Sequence, residues 1–424
     1  MCGITGLLKF NDNQPISADI IRRMTTILKH RGPDGEGIHI QGPVGLGHRR
    51  LAIIDLSDAG KQPMTNEDGS IWLTYNGEIY NFQEIRRMLI TKGHQFQSNT
   101  DTEVVIHAYE EWGLDCLEKF NGMFAFALWD QKQEQLWLVR DRLGIKPLFY
   151  AVCPPSQGQP GYFLFGSEIK AILASGLLGA KVNLEGLHHY LSLNYTPAPY
   201  TLFAGIHQLL PGHHLLCDTS GNIKTAEYWD MYFSEDAYRD APYYFDAFEQ
   251  MANDAVRSRL VSDVPFGAFL SGGVDSSGIV YWMSQIMPQP VKTFSMGFQQ
   301  ESYNELGHAR QIAKVCQTEH YEKFVTTDAV SVLPKIVWHA EEPTADSSMI
   351  PMYYLAQMTR RHVTMVLSGD GADEILAGYE TYQAYYARQF YRLLPGLLRR
   401  RILAPLAHLL PVSDAKISLD FKLK

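Results

Sequence analysis

A glycine-rich turn between two apolar segments constrains the fold of this sequence more than any other feature. Residues 268–270 (Ala-Phe-Leu) form a short apolar run that suits the end of a buried strand. Residues 271–273 (Ser-Gly-Gly) then make a turn without side-chain bulk, and a helix with Val280 on its buried face is predicted to begin near Ser276. Glycines let the backbone approach an anion closely, and the free N–H groups at a helix start can hold it. The sequence therefore predicts an anion-binding loop between a strand and a helix.

The polar residues of this loop indicate a phosphate site. Ser276 and Ser277 supply hydroxyl groups, and Asp275 supplies a carboxylate suited to magnesium. The loop has no lysine at the position that a Walker loop requires, which excludes that motif. The run resembles the pyrophosphate-binding loop of the ATP-pyrophosphatase superfamily of adenylating enzymes. An ordinary Gly-Ser turn is the alternative.

The C-terminal half alternates between predicted strands and helices from residue 242 onward. This alternation predicts an α/β doubly wound parallel sheet, whose ligands bind at the carboxyl ends of the strands near a switch in strand order. A second glycine-rich loop, residues 368–374 (Ser-Gly-Asp-Gly-Ala-Asp-Glu), directly follows an apolar strand that ends at Leu367. Its carboxylates suit the magnesium that neutralises phosphate. We therefore expect the two loops to face each other, with a solvated acidic loop as the alternative.

The N-terminus carries a second chemical signal. Cys2 is followed by an apolar run to Phe10 that is typical of a strand. Removal of Met1 would place a thiol and a free α-amine on the same residue. An α-amine has a reference pKa of roughly 8 and can act as general base for its own thiol. A cysteine at position 2 is uninformative by itself, so this prediction depends on the motifs that follow.

Six motifs follow Cys2 in an order that is specific in combination. They occupy residues 30–35, 47–51, 75–81, 98–103, 121–127 and 140–148. On these motifs, the segment from Cys2 to roughly Ala174 resembles the class II glutamine amidotransferases of the N-terminal-nucleophile type. The resemblance implies an α+β sandwich of four layers, αββα, with two sheets between helices. It also implies that the thiol of Cys2 attacks the glutamine amide.

The same resemblance implies roles for other residues of this half. Asn76 and Gly77 would donate a side-chain and a backbone N–H to the developing oxyanion. Arg50 would bind the α-carboxylate of glutamine, and Glu78 and Asp101 its α-ammonium group. The alternatives are a surface charge for Arg50, a hairpin turn for Asn76 and Gly77, and a helix cap for Asp101. The residues implied in glutamine binding are Arg50, Leu51, Ala52, Ile53, Ile54, Asn76, Gly77, Glu78 and Asp101.

The two glycine-rich loops together resemble the synthetase domain of glutamine-hydrolysing asparagine synthetases and their relatives, including β-lactam synthetase. The resemblance implies Asp275 and Asp373 as magnesium ligands. Asp370 stands where these enzymes typically carry a glutamate that handles the ammonia or the intermediate, and Glu341 and Glu342 are implied at the edge of the acceptor pocket. The residues implied in ATP binding are Leu270, Ser271, Gly272, Gly273, Asp275, Ser276, Ser277, Met296, Ser368 and Gly369.

The resemblance also divides the chain into domains. It predicts a glutaminase domain at residues 1–205, a connector at 206–240 and an adenylating domain at 241–424; the connector's aromatic residues suit an interface. Chains of the family continue beyond position 424 through helices that include a lysine in contact with the adenylated intermediate. We therefore expect a fragment or a truncated product, in which the apolar helical face at residues 402–410 lacks a partner.

Composition narrows the range of partners. The net charge of −9 gives no reason to expect a nucleic-acid partner, and apolar runs such as residues 122–129 are too short to span a bilayer. The N-terminus does not resemble a secretion signal, and five scattered cysteines favour a reducing compartment. We therefore predict a cytoplasmic protein that acts on small molecules, with neither a nucleic acid nor a membrane as partner. A homodimer is an open expectation.

The predicted function is a pair of coupled reactions that use glutamine, ATP and Mg2+. Glutamine would be hydrolysed to glutamate and ammonia, and ammonia moving inside the protein would displace AMP from an acceptor carboxylate adenylated by MgATP. Aspartate is the default acceptor and would give asparagine. One alternative is an amidotransferase acting on a specialised-metabolite or envelope-glycan carboxylate. Another is a truncated paralogue with a glutaminase-only or regulatory role.

Overall fold

The fold is described for residues 1–156, 158, 160–235, 238–325 and 331–408 in a computed structural model of the protein. The chain divides into two units. Unit 1 consists of Met1–Phe248, Ser258–Asp263 and Leu333–Ser347, and unit 2 of Glu249–Arg257, Val264–Val332 and Ser348–Lys424. Each unit is described separately below.

The secondary structure is mainly antiparallel strands in unit 1 and alternating strands and helices in unit 2. The strands are β1 (Gly3–Lys9), β2 (Gly35–Gln41), β3 (Val44–Arg50), β4 (Met64–Thr65), β5 (Ile71–Ile79), β6 (Gly122–Asp130), β7 (Gln135–Arg140), β8 (Phe149–Cys153), β9 (Tyr162–Gly166), β10 (Ile206–Gln208), β11 (His213–Asp218), β12 (Ile223–Glu227), β13 (Phe266–Phe269), β14 (Lys292–Gly297), β15 (Glu319–Phe324) and β16 (Met365–Leu367). The helices are α1 (Ala18–Thr26), α2 (Phe82–Thr91), α3 (Asp101–Trp112), α4 (Cys116–Lys119), α5 (Ile169–Leu173), α6 (Leu184–Leu193), α7 (Ala241–Arg259), α8 (Val274–Ile286), α9 (Leu306–Val315), α10 (Leu333–Ala340), α11 (Met349–Thr359), α12 (Ala372–Leu376), α13 (Glu380–Leu393), α14 (Gly396–Leu398) and α15 (Ala404–His408).

Unit 1 is a sandwich of two six-stranded antiparallel sheets. The strand order is β10-β8-β9-β1-β3-β2 in the first sheet and β12-β11-β7-β6-β5-β4 in the second. Side chains alternate along each strand, so every central strand contributes to two apolar layers. The buried residues include Leu7, Ile21, Met24 and Ile172 between α1, α5 and the first sheet; Ile4, Leu46, Ala127 and Leu215 between the sheets; and Tyr75, Ile85, Val105 and Phe126 between the second sheet, α2 and α3. Three apolar layers separate four layers of structure, which confirms the predicted αββα sandwich.

The segment at residues 206–227 extends both sheets of this sandwich. Strand β10 pairs with β8 in the first sheet, and β11 pairs with β7 and β12 in the second. Leu215 and Cys217 of β11 are buried in the layer between the sheets. The sequence does not predict these three strands, because it assigns the segment to a connector. The predicted domain limits stay a prediction.

Unit 2 is built on a parallel sheet with the order β15-β14-β13-β16. Met296 packs with Phe294 and with Met358 of α11. The next residue, Gly297, faces α9, because a Cβ added there would lie 2.5 Å from Cδ1 of Leu306. Neighbouring residues of a strand point to opposite faces, so α9 and α11 cover opposite faces of the sheet. This confirms the predicted doubly wound α/β fold.

The strand order of unit 2 reverses at β13. The chain proceeds from β13 through β14 to β15 on one side and reaches β16 on the other. The gap between the carboxyl ends of β13 and β16 is therefore the topological switch point, where ligands of such sheets bind. The two glycine-rich loops follow these two strands and so begin at the same edge of the sheet.

Only part of the apolar face predicted for residues 402–410 falls within the described residues. Ile402 and Leu406 are about half exposed. Leu409 and Leu410 lie outside the described residues. Within the described ranges, no helix is both long enough and apolar enough to cross a bilayer.

Candidate functional site

Cys2 lies immediately before β1, an interior strand of the first sheet. Its half-buried Sγ lies 3.4 Å from the backbone nitrogen of Leu51 and 3.6 Å from the carbonyl oxygen of the same residue. Nε of Arg31 donates to the Cys2 carbonyl oxygen at 2.8 Å. Burial raises the pKa of the thiol, so Cys2 is protonated at neutral pH and needs a base before it can act as a nucleophile.

Asn76 lies on β5, on the side of the second sheet that faces the first. Thr74, two residues earlier on the strand, donates to the Gly47 carbonyl of β3 at 3.2 Å, and the alternation of side chains puts Asn76 and Glu78 on this same side. The Asn76 side chain is only 1% exposed, and its Nδ2 has no hydrogen-bond partner among the described residues. A buried amide without a partner costs about 1–3 kcal/mol, so it requires a reason such as a ligand.

Gly77 occupies a point of close approach between β5 and β6. A Cβ added at Gly77 would lie 2.6 Å from the Met123 carbonyl oxygen and 2.6 Å from Cβ of Phe124. A glycine is therefore required here by strand packing. Its predicted role as an oxyanion donor stays a prediction.

The carboxyl group of Glu78, two residues after Asn76 on β5, lies close to that of Asp101. Asp101 begins α3, and its Oδ2 accepts hydrogen bonds from the hydroxyl of Tyr75 at 2.6 Å and from the backbone N–H of Ile79 at 2.9 Å. Burial raises the pKa of Glu78 well above its usual range, and the nearby Asp101 raises it further. Burial likewise raises the pKa of Asp101 and lowers that of the neighbouring Lys146. Burial and their mutual repulsion both oppose ionisation of the two carboxyl groups, so a cation bound beside them would stabilise their charged forms.

Arg50 anchors the loop that follows β3. Its guanidinium group donates to the carbonyl oxygen of Ser57 at 2.9 Å and of Ile54 at 3.4 Å, and it also donates to the carbonyl of Asp55. The N–H of Ala52 donates to a carboxylate oxygen of Asp34 at 3.0 Å. Leu51, Ala52, Ile53 and Ile54 are all half-buried in this loop. Of these four loop residues, Leu51 is the one that contacts Cys2 within the described structure. The guanidinium group of Arg50 donates to carbonyl groups of its own loop.

Arg31, which donates to the Cys2 carbonyl, is also the first member of a series of buried ion pairs. Arg31 pairs with Glu168 at 3.1 Å, Glu168 pairs with Lys170 at 2.8 Å, and Lys170 pairs with Glu341. Burial opposes ionisation of Glu168, but its bonds to His30 and Lys170 prevail and lower its pKa to about 2. Glu341 thus belongs to unit 1, as does Glu342, whose carboxylate accepts from the N–H of Leu202. The acceptor-pocket role of these two glutamates stays a prediction.

Replacing Lys170 by methionine should destabilise the protein strongly. The side chains of Glu168 and Glu341 are 4% and 8% exposed, so the variant would leave buried carboxylates without their shared cation. Breaking a buried ion pair in this way typically lowers the free energy of unfolding by about 3–5 kcal/mol. Urea unfolding followed by circular dichroism measures the loss.

The matched control is Lys132→Met, which removes an exposed ion pair with Asp68. We expect a loss of less than about 1 kcal/mol for that variant. Equal losses for the two variants would contradict the assigned role of Lys170.

In unit 2, hydrogen bonds between residues of the loop after β13 fix its conformation. Oγ atoms of Ser271 and Ser276 lie 2.9 Å apart, and the N–H of Gly273 donates to Oγ of Ser271 at 3.2 Å. Gly272 has φ of 87°, in the left-handed region that favours glycine. Gly273 is the N-cap of α8 and has no side chain to accept from its first N–H groups, and Oγ of Ser277 is buried without a partner among the described residues. Free donors at a helix start suit an anion.

The two glycine-rich loops touch each other. A Cβ added at Gly369 would lie 2.8 Å from the backbone nitrogen of Ser276 and 3.0 Å from Cβ of Asp275. Only a glycine allows this approach without displacement of the first loop. The expectation that the loops face each other is therefore met in the structure of unit 2.

The remaining residues predicted for the synthetase site differ in how deeply they are buried. Leu270 is buried, and Met296 is half-buried against the core around Phe294. Oδ2 of the exposed Asp370 accepts from Oγ of Ser368 at 2.8 Å. Asp373 lies in the first turn of α12.

The structure adds residues to which the sequence assigns no role. Tyr75 and Lys146 fall inside two of the six motifs, yet only the fold shows that they contact or face the carboxyl groups of Asp101 and Glu78. The pairing of Lys170 with Glu341 joins residues far apart in the chain, so no local pattern could reveal it.

Comparison with protein families gives two matches that together cover most of the chain. Residues 1–229 match the family described as glutamine amidotransferase domain, and residues 247–417 match the family described as asparagine synthase.

Individual relatives agree with both matches. The chain is 35% identical over 418 residues to asparagine synthetase [glutamine-hydrolyzing] 1 of Bacillus subtilis, covering 95% of this chain and 63% of that protein. It is 36% identical over 422 residues to putative asparagine synthetase [glutamine-hydrolyzing] 2 of Methanocaldococcus jannaschii, covering 94% of this chain and 79% of the relative. A solved structure of glutamine phosphoribosylpyrophosphate amidotransferase from B. subtilis aligns with a TM-score of 0.40 and 16% identity, covering 78% of this chain and 70% of that one.

Proposed function

Because this chain belongs to the family of glutamine-hydrolyzing asparagine synthetases, we propose that it transfers the amide nitrogen of glutamine to an acceptor carboxylate with the use of ATP. The proposal has two parts, one for each unit. The chain spans 63% of the length of the B. subtilis relative, so the activity of that whole protein is carried over only as part of this proposal.

The observation that carries the first part is the buried, unpartnered Nδ2 of Asn76. Such a donor suits the oxygen of a glutamine amide as it becomes negative during attack by the Cys2 thiolate. Collapse of the tetrahedral intermediate breaks the C–N bond and releases ammonia, which leaves a glutamyl thioester on Cys2. Water then attacks the thioester carbonyl and releases glutamate, and the thiol regains its proton.

The charged groups around Cys2 would hold the two ends of glutamine. The pair Glu78 and Asp101 favours a cation, which fits the α-ammonium group of the substrate. Arg50 is the cation assigned to the α-carboxylate, and its bonds to the loop carbonyls would fix its position. The backbone of Leu51 orients the thiol.

The base for the first step is proposed to be the α-amine of Cys2. This requires removal of Met1, since an amine in a peptide bond has no basic lone pair. Intact-mass analysis of the active protein should therefore give the mass of the chain that begins with Cys2. Full retention of Met1 in a sample with undiminished glutaminase activity would show that another base acts.

The second part of the proposal concerns the switch point of unit 2. The free N–H groups at the start of α8 and the hydroxyls of Ser276 and Ser277 suit the phosphates of ATP. Asp275 and Asp373 are the carboxylates that would hold Mg2+, whose charge would neutralise the phosphates. The acceptor, proposed to be aspartate, would attack the α-phosphorus and displace pyrophosphate. Ammonia would then replace AMP to form the amide.

Replacing either Asp275 or Asp373 by asparagine should weaken binding of MgATP. Each change removes one negative charge from the site that binds the cation, and we expect at least a tenfold rise in Kd, which corresponds to about 1.4 kcal/mol. Isothermal titration calorimetry measures the affinity. Asp254→Asn, an exposed change on α7 in the same unit, serves as the control and should bind as the wild type does. Wild-type affinity in both site variants would place the cation elsewhere.

The test of the whole proposal follows the nitrogen atom. The protein is incubated with glutamine labelled with 15N in the amide, aspartate and MgATP, and the products are identified by mass spectrometry. We expect 15N-labelled asparagine in an amount that matches AMP. Glutamate formation from glutamine without labelled asparagine, together with no labelled asparagine when 15N-ammonium replaces glutamine, would overturn the synthetase part of the proposal.

A further inference from the structure

Three potential metal ligands that are not among the residues assigned to glutamine lie together on unit 1. His107 and Glu110 are one turn apart on α3, and His94 lies in the segment between α2 and α3. Nδ1 of His107 lies 2.7 Å, and Nδ1 of His94 3.6 Å, from the same oxygen, Oε2 of Glu110. The ligand atoms of the three residues all lie within 4.8 Å of one another. We propose that His94, His107 and Glu110 form a binding site for a zinc ion.

The spacing of the three atoms suits a tetrahedral ion. Histidine nitrogens and carboxylate oxygens bind zinc at about 2.0–2.2 Å, which places neighbouring ligand atoms about 3.3 Å apart. The two measured distances to Glu110 lie on either side of that value. Two imidazoles and one carboxylate are a ligand set that zinc accepts, with water as fourth ligand.

The outer nitrogens of both histidines already face carboxylates. Nε2 of His94 lies 3.3 Å from Oε2 of Glu111, and Nε2 of His107 lies 3.8 Å from Oε1 of Glu103. A proton on Nε2 of His94 would be bound by Glu111 and would leave Nδ1 of that ring free for the metal. Nε2 of His107 faces Glu103 at an ion-pair distance rather than a hydrogen-bond distance. Such carboxylate partners orient histidine ligands and raise their basicity in known zinc sites.

The third ligand is oriented in the same way. Nδ2 of Asn66 donates to Oε1 of Glu110 at 2.8 Å, which turns Oε2 toward the two histidines. His94 and Glu110 line an open cavity of about 560 Å3, together with Glu67 and Lys92. The cavity provides an entry path and room for the water ligand.

The same residues have an alternative explanation without a metal. Burial disfavours the charged form of His107, but its bonds to Glu103 and Glu110 prevail and raise its pKa to about 9. A protonated His107 between two glutamates would then be a structural ion pair. This account predicts no affinity for zinc, so the two explanations are distinguished by a metal titration.

The test is a titration of the metal-depleted full chain with Zn2+, followed by calorimetry and by thermal unfolding. We expect one equivalent of zinc to bind with a dissociation constant in the micromolar range or below, and the Tm to rise with zinc concentration. His94→Ala and Glu110→Gln should each weaken binding at least tenfold, because each removes one of three ligands. Co2+ in place of Zn2+ should give the visible absorption bands of a tetrahedral complex.

Two controls separate this site from other ligands in the chain. His188→Ala removes an exposed histidine outside the cluster and should leave zinc affinity unchanged. Cys2→Ala removes a half-buried thiol that could bind zinc independently, and one equivalent should still bind to that variant. Zinc uptake that is absent, or equal in the wild type and His94→Ala with circular dichroism showing a folded variant, would overturn the proposal in favour of the protonated ion pair.

Discussion

Replacing Cys2 by alanine is expected to abolish glutamine hydrolysis, with a fall in kcat of at least about 1,000-fold. The variant removes the only atom that forms the proposed thioester and leaves Asn76, Arg50 and the carboxyl pair in place. Glutamine should therefore still bind. Release of glutamate, measured with a coupled assay, gives kcat and KM, and calorimetry with glutamine gives the affinity of the inactive variant.

Cys153→Ala is the matched control for this experiment. Cys153 is also half-buried and lies in the same unit, at the end of β8 in the first sheet. Its sulfur contacts the carbonyl of Leu177 at 3.8 Å and has no assigned chemical role. That variant should keep full activity. Comparable kcat values for Cys2→Ala and the wild type would remove Cys2 from the mechanism.

A second large effect is expected for Asn76→Ala. Loss of one oxyanion donor typically lowers kcat by about 100- to 1,000-fold, and KM should change far less because the donor acts on charge that develops in the transition state. Stability should fall little, since Nδ2 of Asn76 makes no hydrogen bond within the described structure. Steady-state kinetics and urea unfolding measure the two properties separately.

Asn183 of the same unit provides the control, because its side chain is hydrogen-bonded and it has no proposed role in catalysis. It caps α6, where its Oδ1 accepts from the N–H of Glu185 at 3.1 Å and its Nδ2 donates to the carbonyl of Thr201 at 2.9 Å. Asn183→Ala should lower stability by about 1 kcal/mol and leave kcat unchanged. An Asn76→Ala variant that loses stability rather than kcat would show that the buried amide has only a structural role.

Much of the fold is predictable because its signals are local. The alternation of strands and helices after residue 242 predicts the parallel sheet, and the apolar strands that precede the two glycine-rich loops predict their common edge. Strands β10 to β12 escape prediction because their segment is assigned to a connector, and β10 and β12 are edge strands. β12, for example, is mostly exposed and carries little alternation. Its strand conformation comes from pairing with β11 rather than from its own sequence.

The candidate site is predictable to a lesser extent, for a physical reason. Cys2, Asn76 and Asp101 stand out in sequence because they lie in specific motifs. The surroundings that set their chemistry depend on distant contacts, such as Tyr75 with Asp101 and Leu51 with Cys2. The cluster of His94, His107 and Glu110 is similar, because only the packing of α3 brings His94 next to the other two. Contacts of this kind become visible only once the chain is folded.

The central claim is that Cys2 is the nucleophile of a glutamine site. It is tested most directly with a glutamine analogue that carries an electrophilic carbon in place of the amide carbon. The protein is treated with one analogue molecule per chain, glutaminase activity is followed over time, and the modified peptide is identified by mass spectrometry. We predict stoichiometric modification of Cys2, loss of activity in parallel with modification, and protection by glutamine. Modification of another cysteine, or full activity after Cys2 has been modified completely, would contradict the claim.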